Sequence, residues 1–228
     1  MDKLHTDHPT MGSRMLCDSL RLRGYEVNRK RIQRLMRLMG IEAIYPAKSL
    51  SKRALGHTVY PYLLRGTTPS HFGHIWSTDI TYVPLYKGFL YLTAIIDWYT
   101  RLVLSWEISN TLANDFCIEA LVAAIKKYGN PNIFNTDQGS QFTAESFTSE
   151  LNSRGIAISM DGKGRATDNA ITERLWRTVK YEDIYIHNYG NGNQLHDGLN
   201  KYFRFYNRKR PHSSLDGLTP YEVYQSCA

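Results

Sequence analysis

Residues 74–108 leave the chain little freedom: three extended segments follow one another with almost no slack between them. Residues 74–85 alternate, with Trp76, Thr78, Ile80 and Tyr82 on one face and Ile75, Asp79, Thr81 and Val83 on the other. Tyr86, Lys87 and Gly88 leave room only for a tight turn. Residues 89–96 are apolar but for Thr93, as expected of a central strand covered on both faces. Residues 97–101 turn the chain again, and 102–108 form a third strand. Strands joined by turns this short have to be antiparallel.

The pattern then changes period. Residues 113–128 place Cys117, Leu121, Ala124 and Tyr128 on one helical stripe, with Ile118 and Ile125 beside it. Gly129, Asn130 and Pro131 end that helix. A short strand at 132–136, a helix at 144–154 and a strand at 156–160 follow. After the Gly-rich loop 161–166, a long helix is expected from Asp168 to about Tyr185. A last helix, 194–206, leads into a tail carrying Lys201, Arg204, Arg208, Lys209 and Arg210. The whole reads as an α/β domain with a mixed five-stranded sheet flanked by helices.

Upstream, residues 12–23 read as a helix with Met15, Leu16, Leu20 and Leu22 apolar, broken by Gly24. Asn28 is placed to cap a second helix, 29–39, which Gly40 ends. Its stripe of Ile32, Leu35, Met36 and Met39 is expected to be buried. Arg29, Lys30, Arg31, Arg34 and Arg37 are left facing out as candidate DNA contacts. Two short helices around a glycine turn, the second one basic, suggest a small all-α helix-turn-helix domain.

Charge supports that division. Residues 1–55 hold 12 Lys or Arg and 5 Asp or Glu, and residues 56–228 hold 16 of each, so the net +7 lies in the first quarter. A compact basic segment points to nucleic acid. No apolar run reaches membrane-span length, and the N-terminus has no apolar core of a secretory signal. Three scattered cysteines suggest a reducing compartment. The expected location is the cytoplasm. The expected domains are a helix-turn-helix at 1–45, a linker at 46–73, a catalytic core at 74–190, and a C-terminal helix and basic tail at 191–228.

The chemistry is carried by three carboxylates in three motifs. Asp79 lies in W-S-T-D-I-T-Y, Asp137 in N-T-D-Q-G-S-Q-F, and Glu173 in D-N-A-I-T-E-R-L-W-R-T-V-K, with 35 residues between the last two acids. Asp137 falls at the C-terminal end of a strand, where ligands of α/β sheets gather. Magnesium takes oxygen ligands, usually one or two carboxylates per ion. Two such ions about 4 Å apart can clamp the attacking and leaving oxygens of a phosphodiester displacement, with Asp79 bridging both. Glu173, Arg177 and Lys180 share one face of their helix, while Ile171, Leu175 and Val179 face the sheet. Lys180, and Lys163 and Arg165 in the Gly-rich loop, are candidate phosphate contacts. Asp97 reads as a turn or support residue, Gln141 as a DNA contact or a helix cap, and Trp76 and Trp176 as core.

Together with the tail Y-N-R-K-R-P-H-S-S-L-D-G-L-T-P-Y-E-V-Y and the N-terminal G-Y-E-V-N-R-K-R-I-Q-R-L-M-R-L-M-G, these motifs closely resemble the D-D-E transposases of bacterial insertion sequences. The resemblance is to the downstream-frame product of a two-frame element, with an integrase-type catalytic core. It implies a ribonuclease H-like fold and a transposase that performs magnesium-dependent DNA strand cleavage and strand transfer with two ions, Mn²⁺ being able to substitute. It maps the metal-binding triad onto Asp79, Asp137 and Glu173, and a basic residue seven positions after the glutamate onto Lys180. The partners it implies are double-stranded DNA (element ends and target), further copies of the chain on DNA, and the upstream-frame product; no membrane is involved.

Overall fold

The computed structural model describes residues 1–44, 60–162 and 169–227. The chain divides into two compact units, Met1–Leu55 and Gly56–Ala228.

The first unit is helical: α1 Asp2–Asp7, α2 Ser13–Leu22 and α3 Arg29–Leu38. Its core is Leu4, Leu16, Cys17, Leu20 and Ile32. The Asn28 side chain accepts from the Arg31 N–H at 2.9 Å, so α3 starts where the cap residue places it. Gly24 and Gly40 both sit at positive φ, +84° and +63°, and end the two helices. Two details of the expected stripes are corrected. Met15 and Leu22 are exposed, 56% and 90%, because Leu16, Cys17 and Leu20 alone face α3; Met39, 44% exposed, lies past the last turn that reaches α2. α1 was not visible in the sequence pattern, since it offers one buried apolar residue, Leu4.

The second unit is built on a five-stranded sheet. Its strands are β1 Ile75–Pro84, β2 Phe89–Asp97, β3 Val103–Ser109, β4 Ile133–Thr136 and β5 Ala157–Met160, in the spatial order β3-β2-β1-β4-β5. β1–β2 and β2–β3 are antiparallel, whereas β1–β4 and β4–β5 are parallel. Between them lie α4 Asp115–Tyr128, α5 Ser140–Thr143 and α6 Glu145–Asn152. Helix α7 Ala170–Val179 runs into a π-helical turn, Lys180–Ile184, and then into α8 Tyr185–His187. α9 Gly192–Arg208 and α10 Pro220–Gln225 complete the chain.

Each face of the sheet has its own core. On one, Trp76, Ile95, Leu104, Phe134 and Ile158 pack with Leu121 of α4 and Phe147 of α6. On the other, Val83, Leu92, Ala94 and Ile96 pack with Leu175, Val179, Leu199 and Phe203 of α7 and α9. β2 therefore contributes Ile95 to one core and Leu92, Ala94 and Ile96 to the other, as expected from Leu92 onward, whereas Phe89 at its start is exposed and Leu90 and Tyr91 are half-buried.

The expected long helix is not uniform. Its expected start at Asp168 lies outside the described residues, and after Val179 the backbone widens into the π-turn. That turn lets two successive acids find separate partners. Glu182 accepts from Tyr202 and Arg210, and the buried Asp183 accepts from the Tyr189 hydroxyl at 2.9 Å.

Residues 60–73, within the stretch expected as a linker, are fastened to the sheet. Met160 N–H donates to Pro61 O and Leu63 N–H to Ser159 Oγ, both at 3.1 Å, which occupies the open edge of β5. Leu64 is buried against Ile75 and Trp98. Asp97, fully buried, accepts from Gly73 N–H at 2.9 Å and from Thr100 N–H and Oγ at 2.7 and 2.8 Å. The three donors offset only part of the cost of burying this carboxylate, whose protonation burial favours, and Asp97 ties the start of β1 to the end of β2.

Candidate active site

The sheet register brings the first two acids together. β1 and β4 pair through Ile75–Ile133, Trp76–Phe134 and Ser77–Asn135. Asp79 and Asp137 each stand two residues beyond the last pair, on the same side of neighbouring strands, where β4 ends and the strands part. The side chain of Asp79 falls on the α7 face because Val83, four residues on, packs there.

The third acid arrives on α7, which two hydrogen bonds hold over β1. Thr172 and Ser77 share a buried hydroxyl pair at 2.7 Å, and Trp176 Nε1 donates to Asp79 Oδ2 at 3.2 Å. Thr172 and Trp176 are one turn apart on that helix and flank Glu173. Trp98 Nε1 donates to Ser77 Oγ at 2.7 Å and completes the network beneath.

The electrostatics follow from this placement. Burial pushes the Asp79 carboxyl up to about 6, the Asp137 charge adds to that rise, and the Glu173 charge adds a smaller part. Hydrogen bonds from Ile80 N–H and Trp176 oppose it. Burial likewise raises Asp137, whose Oδ1 accepts from Gly139 N–H at 3.0 Å. Lys180, at the start of the π-turn, is lowered by burial and raised by the Asp79 charge, so its ammonium lies in the field of the acids. Cys117 is the site's other ionisable neighbour. Burial, with the charges of Asp137 and Asp79, pushes its thiol up to about 12, so it stays protonated and is no nucleophile.

Among the described residues no three His, Cys, Asp or Glu side chains are gathered tightly enough to hold an ion. The donor set nevertheless suits a hard cation, being carboxylate oxygens whose mutual repulsion a divalent ion relieves. Glu173 is exposed in the first turn of α7, with a long side chain free to swing toward Asp79.

Two contributors escaped the sequence reading. Trp176 packs in the core as expected, but its N–H also fixes Asp79; its position three residues after Glu173 on one helix was the available signal. Gly139 has ordinary backbone angles, φ −64° and ψ 153°, yet a Cβ there would stand 2.9 Å from Asp137 Oδ1 and 3.4 Å from Oδ2. Gln141 neither caps α6 nor reaches the acids, because its Nε2 donates to Leu112 O at 3.1 Å. Lys163 and Arg165 lie outside the described residues. Arg29, Lys30, Arg31, Arg34 and Arg37 are all exposed on α3, and at 100° per residue Lys30, Arg34 and Arg37 share one side. They belong to the first unit, apart from the acids of the second.

Comparison with known proteins agrees with this architecture. The family described as Integrase core domain matches residues 69–166 and, through a second model of the same description, 154–220; the HTH-like domain family matches 1–49. The transposase for insertion sequence element IS904 of Lactococcus lactis is 32% identical over 214 residues, covering 89% of this chain and 83% of that protein. The transposase InsF for insertion sequence IS3A of Escherichia coli is 31% identical over 215 residues, covering 92% and 75%. The catalytic core domain of HTLV-2 integrase, solved in complex with magnesium, superposes with a TM-score of 0.56 at 23% identity over 69% of this chain and 99% of that one. A simian T-cell lymphotropic virus intasome gives a TM-score of 0.59 at 18% identity over 97% and 73%. The mixed sheet with helices on both faces is thus the ribonuclease H-like fold of the integrases, and the chain belongs to the insertion-sequence transposases that carry an integrase core.

Proposed function

We propose that the chain is a polynucleotidyl transferase that cuts a DNA strand and joins the freed 3′-end to a second DNA, with Asp79, Asp137 and Glu173 as its catalytic acids. The observation that carries this reading is electrostatic: the charges of Asp137 and Glu173, brought in by β4 and α7, both bear on Asp79 of β1. None of the three acids takes part in a salt bridge among the described residues.

The same residues would hold magnesium, one or two ions, with Asp79 shared. Bound there, the metal would activate the attacking oxygen and offset charge on the leaving oxygen. The chain's own part is to aim these groups. Trp176 and Ile80 N–H groups fix the Asp79 carboxylate, and Gly139 N–H fixes Asp137. Lys180 adds a cation beside the acids, suited to a phosphate oxygen of the bound strand. The exposed basic side of α3 suits backbone phosphates of duplex DNA. Joining two ends calls for more than one copy of the chain on DNA, and an upstream-frame product is a candidate partner.

The direct test is an assay on labelled duplexes carrying the ends that flank the gene, with and without Mg²⁺. Metal-dependent 3′-nicking together with joined products supports the reading. Nicking without joined products would reduce the protein to a nuclease of this fold, and DNA binding with no chemistry in the presence of metal and partner would sink it.

A further prediction arises from Gly139. Gly139→Ala should fold with near-wild-type stability, because its backbone angles suit alanine. Its methyl group displaces the Asp137 carboxylate, and a misplacement of about 1 Å costs on the order of 10²-fold in rate. Equal melting temperatures with cleavage unchanged would show that Asp137 need not stay where Gly139 N–H holds it.

A further inference from the structure

The C-terminal segment folds back beside α7 and closes a cavity of about 480 Å³. Arg101, Arg174, Arg210, His212, Ser213 and Ser214 line it, and among the described lining residues there is no Asp or Glu. Glu182 engages Arg210 through two oxygens, at 2.7 and 2.6 Å. The other cations are not so paired. Arg174 is exposed with no ion pair among the described residues. Arg101 Nη1 is buried and has no hydrogen-bond partner, and the nearby Asp97 is already engaged by Gly73 and Thr100. His212 is 8% exposed, and its Nε2 also lacks a partner.

A half-buried guanidinium left with an unused donor is costly unless something supplies the missing acceptor. Arg101 also holds φ +61°, a conformation arginine seldom adopts, and this turn is where its side chain joins the cavity. Three guanidinium groups with two serine hydroxyls match a tetrahedral anion with several oxygens. The cavity takes a different side of α7 from the acids: Ala170, Ile171, Arg174, Leu175 and Thr178 line it, whereas Thr172 and Trp176, which hold Asp79 and Ser77, face away from it.

We propose that this cavity is a phosphate-binding pocket that takes a backbone phosphodiester of the bound DNA. The assignment of DNA as the source of the phosphate rests on the strand-transfer reading above. Arg101 and Arg174 supply the charge, Ser213 and Ser214 the neutral donors, and Arg210 stays oriented by Glu182. The pocket would hold the bound DNA in register while the acids act on it.

The full chain tests this with two probes. Inorganic phosphate, compared with chloride at matched ionic strength, should raise the melting temperature of the wild type and weaken its binding to an end duplex. Arg174→Gln and Ser213→Glu alter exposed positions, and each should melt like the wild type in chloride but lose both phosphate responses. For Arg174→Gln, DNA affinity should fall about tenfold. The slope of log affinity against log salt, from about 50 to about 200 mM, should shrink by about 0.9, the value of one phosphate contact. A wild type indifferent to phosphate in both assays overturns the pocket. Phosphate stabilisation with unaltered DNA affinity and slope in the variants overturns the DNA assignment, leaving a site for a free phosphate compound. A wild type that binds no DNA yet keeps the thermal response supports the pocket and overturns the strand-transfer reading instead.

Discussion

Glu173→Gln should bind end duplexes as tightly as the wild type and cut them at least about 10³-fold more slowly. Losing a metal ligand forfeits several kcal/mol of charge stabilisation in the transition state, and each ~1.4 kcal/mol is a factor of ten in rate. Glu173 is exposed, so its amide should leave the fold intact. Single-turnover cleavage and a binding titration of the same preparation check both halves, and wild-type cleavage by the variant would remove Glu173 from the site. Stability without metal gives an independent readout. The folded chain holds the Asp79 proton up to about pH 6, whereas the ordinary value is 3.8. Folded protein therefore binds more protons than unfolded protein between those limits, and metal-free stability should fall as pH rises from about 4 to about 6. At pH 7 the loss is nearly fully present, on the order of 3 kcal/mol. Asp137→Asn removes the neighbouring charge, so in a chelator at pH 7 it should melt above the wild type, and added Mg²⁺ should reverse the order. A wild type whose metal-free stability is flat across that window would show that neither burial nor the neighbouring acids raise the Asp79 carboxyl.

Asp97→Ala should be the most damaging single change to the fold of the second unit. It strands the Gly73 and Thr100 N–H groups and a buried hydroxyl, each costing about 1–3 kcal/mol. Relief of the buried carboxylate, whose own protonation burial favours, offsets part of that. A net loss of about 3 kcal/mol and a melting temperature lower by roughly 10 °C are expected. At a permissive temperature the variant should still cleave in a Mg²⁺-dependent manner. A variant that melts normally but has lost its Mg²⁺ response would instead make Asp97 a metal ligand.

Much of this was legible before any coordinates. The turn lengths between β1, β2 and β3 dictate antiparallel pairing, and the apolar run of β2 dictates burial on both faces. Alternation in β1 put Asp79 opposite Trp76, and helical spacing put Leu175 and Val179 on the sheet. These are local regularities, repeating every two residues in a strand and every 3.6 in a helix, so one sequence suffices to read them. The packed segment 60–73 was not legible, because its ties to Ser159, Met160 and Asp97 join residues far apart in the chain and leave no period. The π-turn after Val179 hid for the same reason, since its acids answer to Tyr189, Tyr202 and Arg210.

The sequence by itself determined which acids are candidates, which elements carry them, and that the basic helix belongs to a separate unit. Only the tertiary structure decided how the acids meet. The β1–β4 register sets Asp79 beside Asp137, and the Thr172 and Trp176 hydrogen bonds lay α7 across β1. The tail's return beside α7 creates the arginine-lined cavity. Strand order and helix docking are set by long-range packing and hydrogen bonding, which depend on how whole surfaces fit and not on any residue's neighbours in the chain.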